Sequence, residues 1–383
     1  MKKIIILGAN ELQDRLVEKA NNLGYETHVF AFVEGAVAKK RANFFYPISI
    51  IEKEEILKIA KELKIDAVCT VATDIGMPTV NYIAKELDLV GNSLEATERT
   101  TNKLKMRDRL SEKGLPCPWY KVIKEKEDLD IKELNFPMIV KPIDRSGSRG
   151  INKVEKEEEL EAAIKNSKQV SFLDDVLIEE YIEGKEYSIE TISQNGKHQI
   201  LQITEKFTTG SPNFIELGHL QPARISNESK TKVIEIIIAS LEALGIVNGA
   251  SHSEVKINDG KIKIIEIAGR MGGDFIGQDM VKLSTGIDFL KLTLDVALGN
   301  KLEKNIKPSL DDNSVVKFIF DEIDLMNFRR VEKKYPETVV RSNINSKFNE
   351  VIKDSTTRNG YYILKIKDKN KLEGILRIIN LND

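Results

Sequence analysis

Residues 1–92 alternate between two apolar periods, and that alternation strongly limits what the chain can fold into. Ile4-Ile5-Ile6-Leu7 is an unbroken apolar run, as a strand covered on both faces requires. Leu12, Leu16, Ala20 and Leu23 then recur at helical spacing, and Gly24 ends that helix. Thr27–Val33 reads as a second strand, Ile56 to Leu63 as a second helix, Ala67–Ala72 as a strand, and Pro78 opens another helix. Strand–helix alternation predicts a parallel sheet with right-handed crossovers. The turn after the first strand, Gly8-Ala9-Asn10-Glu11-Leu12, lacks the full G-x-G-x-x-G pattern. It reads as a tight strand-to-helix turn, ahead of a nicotinamide site.

Beyond residue 92 the pattern changes. Residues 93–123 read as a helical connection closed by Gly114, Pro116 and Pro118, and 124–183 as a small α+β unit. Residues 184–300 carry strands at antiparallel spacing with helices at 229–244 and 284–298, and 301–383 read as a small terminal α+β piece. The whole is α/β followed by α+β. With 58 Lys and Arg against 60 Asp and Glu in 383 residues, the net charge is −2. That balance gives no global reason to expect nucleic acid or a membrane surface as partner. No stretch reaches the ~18 apolar residues of a membrane span, and the apolar start is too short for a signal peptide. Two cysteines, Cys69 and Cys117, suit a reducing cytoplasm and exclude a disulfide scaffold.

Four segments carry candidate chemistry. Lys141 ends the strand Ile139-Val140-Lys141-Pro142, and Ser146-Gly147-Ser148-Arg149-Gly150 follows. Small residues there let backbone N–H groups turn toward an anion, with Arg149 adding charge, although the spacing is not that of a P-loop; a plain surface turn fits as well. Glu254 and Glu266 lie on two strands joined by the hairpin turn Asn258-Asp259-Gly260, which brings them onto neighbouring strands. Two such carboxylates suit Mg²⁺, or Mn²⁺ in its place, shared with phosphate. Pairing with Lys256 and Lys263 is the bland alternative. Arg270, four residues after Glu266, sits in Ala268-Gly269-Arg270-Met271-Gly272-Gly273, where paired glycines permit close backbone approach to a ligand. Glu179-Glu180-Tyr181-Ile182 runs through a turn toward Glu186, and such a hinge exposes backbone groups able to read an adenine edge.

Taken in order, these pieces resemble the ATP-grasp superfamily from about Met1 to Gly299. The resemblance implies an N-terminal Rossmann-like domain (1–92), the connection (93–123), a lid (124–183), a catalytic body (184–300) and the terminal piece (301–383). It implies that Lys103 and Lys141 bind nucleotide phosphates under a lid loop spanning Ser146 to Gly150. Glu179 and Ile182 would contact adenine, the latter through its backbone, and Glu186 the ribose. Glu254 and Glu266 would hold Mg²⁺, and Arg270 would meet the transferred phosphoryl group or the acceptor. Many members place Asn two residues after the second metal glutamate; here it is Ala268, which cannot coordinate. Glu216-Leu217-Gly218-His219-Leu220-Gln221-Pro222 is similar to the substrate loop of the L-amino-acid ligase branch, which also has a small residue at the Ala268 position. The implied activity is an ATP-dependent, ADP-forming ligase that makes an acyl phosphate from a small carboxylate and couples it to an amine. Glu216, Gly272, Gly273 and Arg224 would face substrate, and His219 would either polarise the carbonyl or orient its loop. A purine-pathway enzyme acting on a ribonucleotide and a catalytically silent nucleotide-binding regulator stand as alternatives. A homodimer is compatible with the resemblance.

Overall fold

The computed structural model describes residues 1–125, 129, 134–144, 149–173, 175–211 and 214–381. Its N-terminal sheet comprises β1 (Lys3–Leu7), β2 (Glu26–Phe30), β3 (Phe44–Tyr46) and β4 (Ala67–Cys69), all parallel in the order β3-β2-β1-β4. The unbroken apolar run has a direct cause. Ile4 and Ile6 pack toward the helix Glu11–Asn22, while Ile5 and Leu7 face the helices Lys53–Leu63 and Met77–Glu86. Gly8 turns the chain at φ +95°, a conformation open to glycine, and Asn10 caps the following helix in a reciprocal box with Gln13.

The segment that the resemblance implies to be the lid holds an antiparallel sheet of β5 (Tyr120–Ile123), β6 (Met138–Pro142), β7 (Asn152–Val154) and β8 (Val176–Glu180) in the order β5-β8-β6-β7. The helix Leu160–Val170 covers it with Leu160, Ala163 and Ile164. Because Tyr120–Ile123 pairs with β8, the lid begins inside the segment expected to be a purely helical connection.

The body is one eight-stranded antiparallel sheet. Its strands are β9 (Lys185–Gln194), β10 (Lys197–Thr208), β11 (Glu216–Gln221), β12 (Gly249–Asn258), β13 (Lys261–Ala268), β14 (Asn313–Phe318), β15 (Val339–Ile344) and β16 (Gly360–Ile366). They lie in the order β13-β12-β9-β10-β11-β14-β16-β15. Two expectations change here. The segment 301–383 forms no sheet of its own, because β14 hydrogen-bonds to β11 and carries the body's sheet onward. The segment Glu216–Pro222, expected as a loop, is mostly strand β11.

Helix Asn227–Leu244 packs Val233, Ile237 and Leu241 on one face of the sheet. Helix Phe289–Ala297 covers the other face and also meets the N-terminal domain, since Leu290 and Leu294 share a core with Leu16 and Val17. The N-terminal domain is therefore seated on the body through apolar packing, and the three units surround one cleft.

Candidate ATP-binding and catalytic cleft

The cleft has a volume of about 320 Å³, and its wall draws on all three units. Asp74 comes from the N-terminal domain, Lys141 and Glu179 from the lid, and Glu254 and Glu266 from the body. Antiparallel pairing sets Glu254 directly across from Glu266, as the hairpin spacing predicts, with an irregularity in the register just after Glu254. Among the described residues no three His, Cys, Asp or Glu side chains gather into a self-sufficient metal cage. Two opposed carboxylates fit a hard ion that completes its shell with phosphate and water, and Ala268, buried in the same wall, adds no donor.

Each acid already faces a cation. Lys103, at the start of the helix Lys103–Glu112, reaches Glu266 Oε1 at 2.8 Å. Lys206 on β10 contacts Glu254 and lies 2.6 Å from Glu186 Oε1. Burial works against the charge of Lys206, but Glu186, Glu254 and Glu216 outweigh it and raise its pKa. Burial likewise disfavours charge on Glu254, yet Lys206 and His252 hold that carboxyl well below its usual range. His252 places Nδ1 2.5 Å from Glu190 and Nε2 3.2 Å from Glu254.

In the lid, Lys141 is buried with 4% exposure and sits 2.6 Å from Glu179 Oε2. Arg107 donates to Glu179 Oε1 at 2.7 Å. Glu179, expected to contact adenine, lines the cleft, and each of its oxygens faces a cation, Arg107 on one and Lys141 on the other. Burial pushes the pKa of Lys141 down, and Glu179 resists that push. Ile182, Glu186 and Arg149 line the cleft, and Gly150 adopts a left-handed φ of +74° beside it. Ser146, Gly147 and Ser148 lie outside the described residues.

Arg270 is gripped side-on by Asp74, with Nε and Nη2 each 2.8 Å from a carboxylate oxygen. Gly273 lines the cleft, whereas Gly272 sits behind it and gives its N–H to Glu190 at 3.3 Å. A Cβ on Gly272 would come within 2.6 Å of His252 Nδ1, so only glycine fits.

At the far end, Glu216 accepts a hydrogen bond from Ser355 at 3.0 Å, and Asp274 binds Arg358 at 2.7 and 3.0 Å. His219 is fully buried against the edge of Phe318; among the described residues its ring nitrogens have no hydrogen-bond partner, and Nε2 is 3.7 Å from Asp274. Arg224 is a correction. It is not part of the wall: its guanidinium binds Glu205 at 2.8 and 2.9 Å, where the chain has already left β11.

Sequence reasoning missed Asp74, Lys206, His252, Glu190, Arg107, Asp274 and Arg358. Lys206 and His252 carried little signal, since each sits in a strand with polar neighbours, Thr204-Glu205-Lys206 and Ser251-His252-Ser253-Glu254. Asp74 and Arg358 had none, being brought in from distant segments.

Residues 134–279 match the ATP-grasp domain family. The chain carries an ATP-grasp domain over these residues. Its sequence is 28% identical over 271 residues to the alanine–anticapsin ligase of Bacillus amyloliquefaciens, covering 63% of this chain and 56% of the ligase. It is 27% identical over 229 residues to a formate-dependent phosphoribosylglycinamide formyltransferase of Prochlorococcus marinus, covering 57% of this chain and 55% of that protein. The chain thus spans little more than half the length of these curated relatives. The likeness of fold extends over nearly the whole chain: the L-amino acid ligase of Bacillus licheniformis superposes with a TM-score of 0.83 at 24% identity, over 99% of this chain and 97% of the other.

Proposed function

We propose that the protein is an ADP-forming carboxylate–amine ligase that activates a small carboxylic acid and couples it to an amine, with an amino acid as the preferred amine. The reading is carried by one observation: Lys103, Lys141 and Arg270 meet Glu254 and Glu266 in a single cleft. Three cations there suit phosphates, and two opposed carboxylates suit the metal that accompanies them. The 28% likeness to a ligase supports it.

In this reading Ile182 offers its backbone to adenine and Glu186 its carboxylate to the ribose. Glu254 and Glu266 would hold Mg²⁺, or Mn²⁺, which when bound neutralises phosphate charge. Lys103 and Lys141 orient the phosphate chain. A substrate carboxylate oxygen attacks the γ-phosphorus, the bond to ADP breaks, and an acyl phosphate forms. The amine nitrogen then attacks the acyl carbon, phosphate departs, and the nitrogen loses its proton. Arg270 offsets the negative charge that builds on the phosphoryl oxygens in both steps. Glu216 and Gly273 face the substrate end. Closure of the lid keeps water from the acyl phosphate.

The test is an incubation with ATP, Mg²⁺, a pool of amino acids and hydroxylamine, reading ADP and hydroxamate. Acid-dependent ADP with hydroxamate is expected. AMP as product, or no acid-dependent turnover, would sink the reading. The likeness to a formyltransferase favours a second reading, an acyl phosphate passed to a ribonucleotide amine; formate in the pool checks it.

A further inference from the structure

Arg270 and Asp74 are 196 residues apart in sequence and belong to different domains. A guanidinium presents five N–H groups in a fixed plane. Asp74 takes the side-on pair, Nε–H and one Nη2–H. The carbonyl of Met271 takes an Nη1–H at 3.2 Å. Among the described residues this leaves two N–H groups, one on each Nη, for an oxyanion. The same Met271 carbonyl accepts the backbone N–H of Ala72 at 3.2 Å, tying the N-terminal loop to the loop that carries Arg270. Ala72 pays for that contact with a left-handed φ of +55°, uncommon for a residue with a Cβ, and Asp274 and Phe275 are left-handed at +50° and +65° across the junction. Strained backbone on both sides of one ion pair marks the junction as over-determined by its surroundings.

We propose that Asp74 is a positioning residue through which the N-terminal domain fixes the plane of Arg270 and aims its remaining N–H groups at the oxyanion formed during phosphoryl transfer. The proposal rests on the ligase reading for the identity of that oxyanion. It gives the N-terminal domain a part in the chemistry without any contact with substrate.

Asp74→Asn keeps the size of the side chain but removes the charge and one acceptor. Its acid-dependent kcat should fall roughly 100-fold, the order that misorientation costs, while KM for ATP stays within about twofold because Lys103 and Lys141 are untouched. Asp74→Glu, which keeps the carboxylate, should recover part of kcat and guards against a misfolded Asn variant. A kcat for Asp74→Asn within about twofold of the wild type would overturn the proposal, as would a loss of ATP binding in step with kcat. A second readout does not need turnover: binding of ADP, Mg²⁺ and aluminium fluoride, followed by the fluorescence of Trp119, the single tryptophan, which neighbours Pro118 in the cleft wall. Asp74→Asn should weaken the fluoroaluminate complex about tenfold or more relative to ADP alone. If the wild type makes no ADP with any acid, the ligase reading fails, and this ratio alone decides: a weakened complex sustains the positioning role and an unchanged one ends it.

Discussion

Lys206 lies between Glu186 and Glu254, in contact with both, and is only 8% exposed. These two acids are the ones proposed for ribose and metal, so a single lysine is shared by both regions of the cleft before any ligand arrives. Removing it leaves two largely buried carboxylates without their shared cation. Lys206→Met is expected to cost about 3 kcal/mol, the lower end for a broken buried pair, because both acids keep 20% of their side-chain surface in water. Mg²⁺ should return part of that loss, since an ion bound only by the native state stabilises it. Urea unfolding with and without Mg²⁺ measures both effects. A variant as stable as the wild type and indifferent to Mg²⁺ would leave Lys206 without this role.

Lys141 and Glu266 answer to a different measurement. Glu179 keeps Arg107 when Lys141 is lost, so Lys141→Ala should still fold. Turnover should nonetheless fall by about 10²–10³-fold, the usual result of deleting one charge-stabilising group. Glu266→Ala removes the acid that Lys103 meets in the cleft and should act as severely. Circular dichroism paired with ADP release tests each variant, and an unchanged rate removes that residue from the site.

How much of this was legible in the sequence depended on whether the signal was local. Ile4–Leu7 announced a doubly covered strand because both faces of β1 meet helices. The pairing of Glu254 with Glu266 followed from a hairpin whose turn is written as Asn258-Asp259-Gly260. The continuation of the body's sheet through β14 was not legible, since it depends on β11 pairing with a strand almost a hundred residues later. Arg224 was misread because nearness to His219 in sequence is not nearness in space: the strand ends at Gln221, and the next residues turn to Glu205. Asp74 offered only an acid in a loop, and its meaning arrives with Arg270.

His198 contributes to the pH dependence of stability from outside the cleft. His198 is half-buried and 2.7 Å from Ser193 Oγ, and burial lowers its pKa below the ordinary 6.5 despite Glu242. The unfolded chain therefore binds the proton more readily than the folded one. The stabilisation is complete above the unfolded pKa and is lost as pH falls below 6.5. His198→Gln, which cannot titrate, should flatten the fall in unfolding free energy between about pH 7 and pH 5. Equal slopes in the two proteins would show that other groups carry that dependence.

Arg224 separates a structural role from a substrate role. Its partner Glu205 is buried at 2% exposure and accepts three N–H groups from Arg224: the backbone N–H, Nε and Nη2. Truncation to alanine takes both guanidinium donors from that carboxylate. Stability should drop by about 2 kcal/mol, less than for a fully enclosed pair because the arginine is 29% exposed. Since Arg224 is not part of the cleft wall, KM for the acid and for the amine should stay within about twofold of the wild type below the unfolding transition. Arg224→Lys, which keeps a charge but loses the planar fork, should fall between the two in stability. A tenfold rise in either KM for a variant that remains folded would return Arg224 to the substrate-binding residues and would require the segment after β11 to turn toward the cleft when ligand binds.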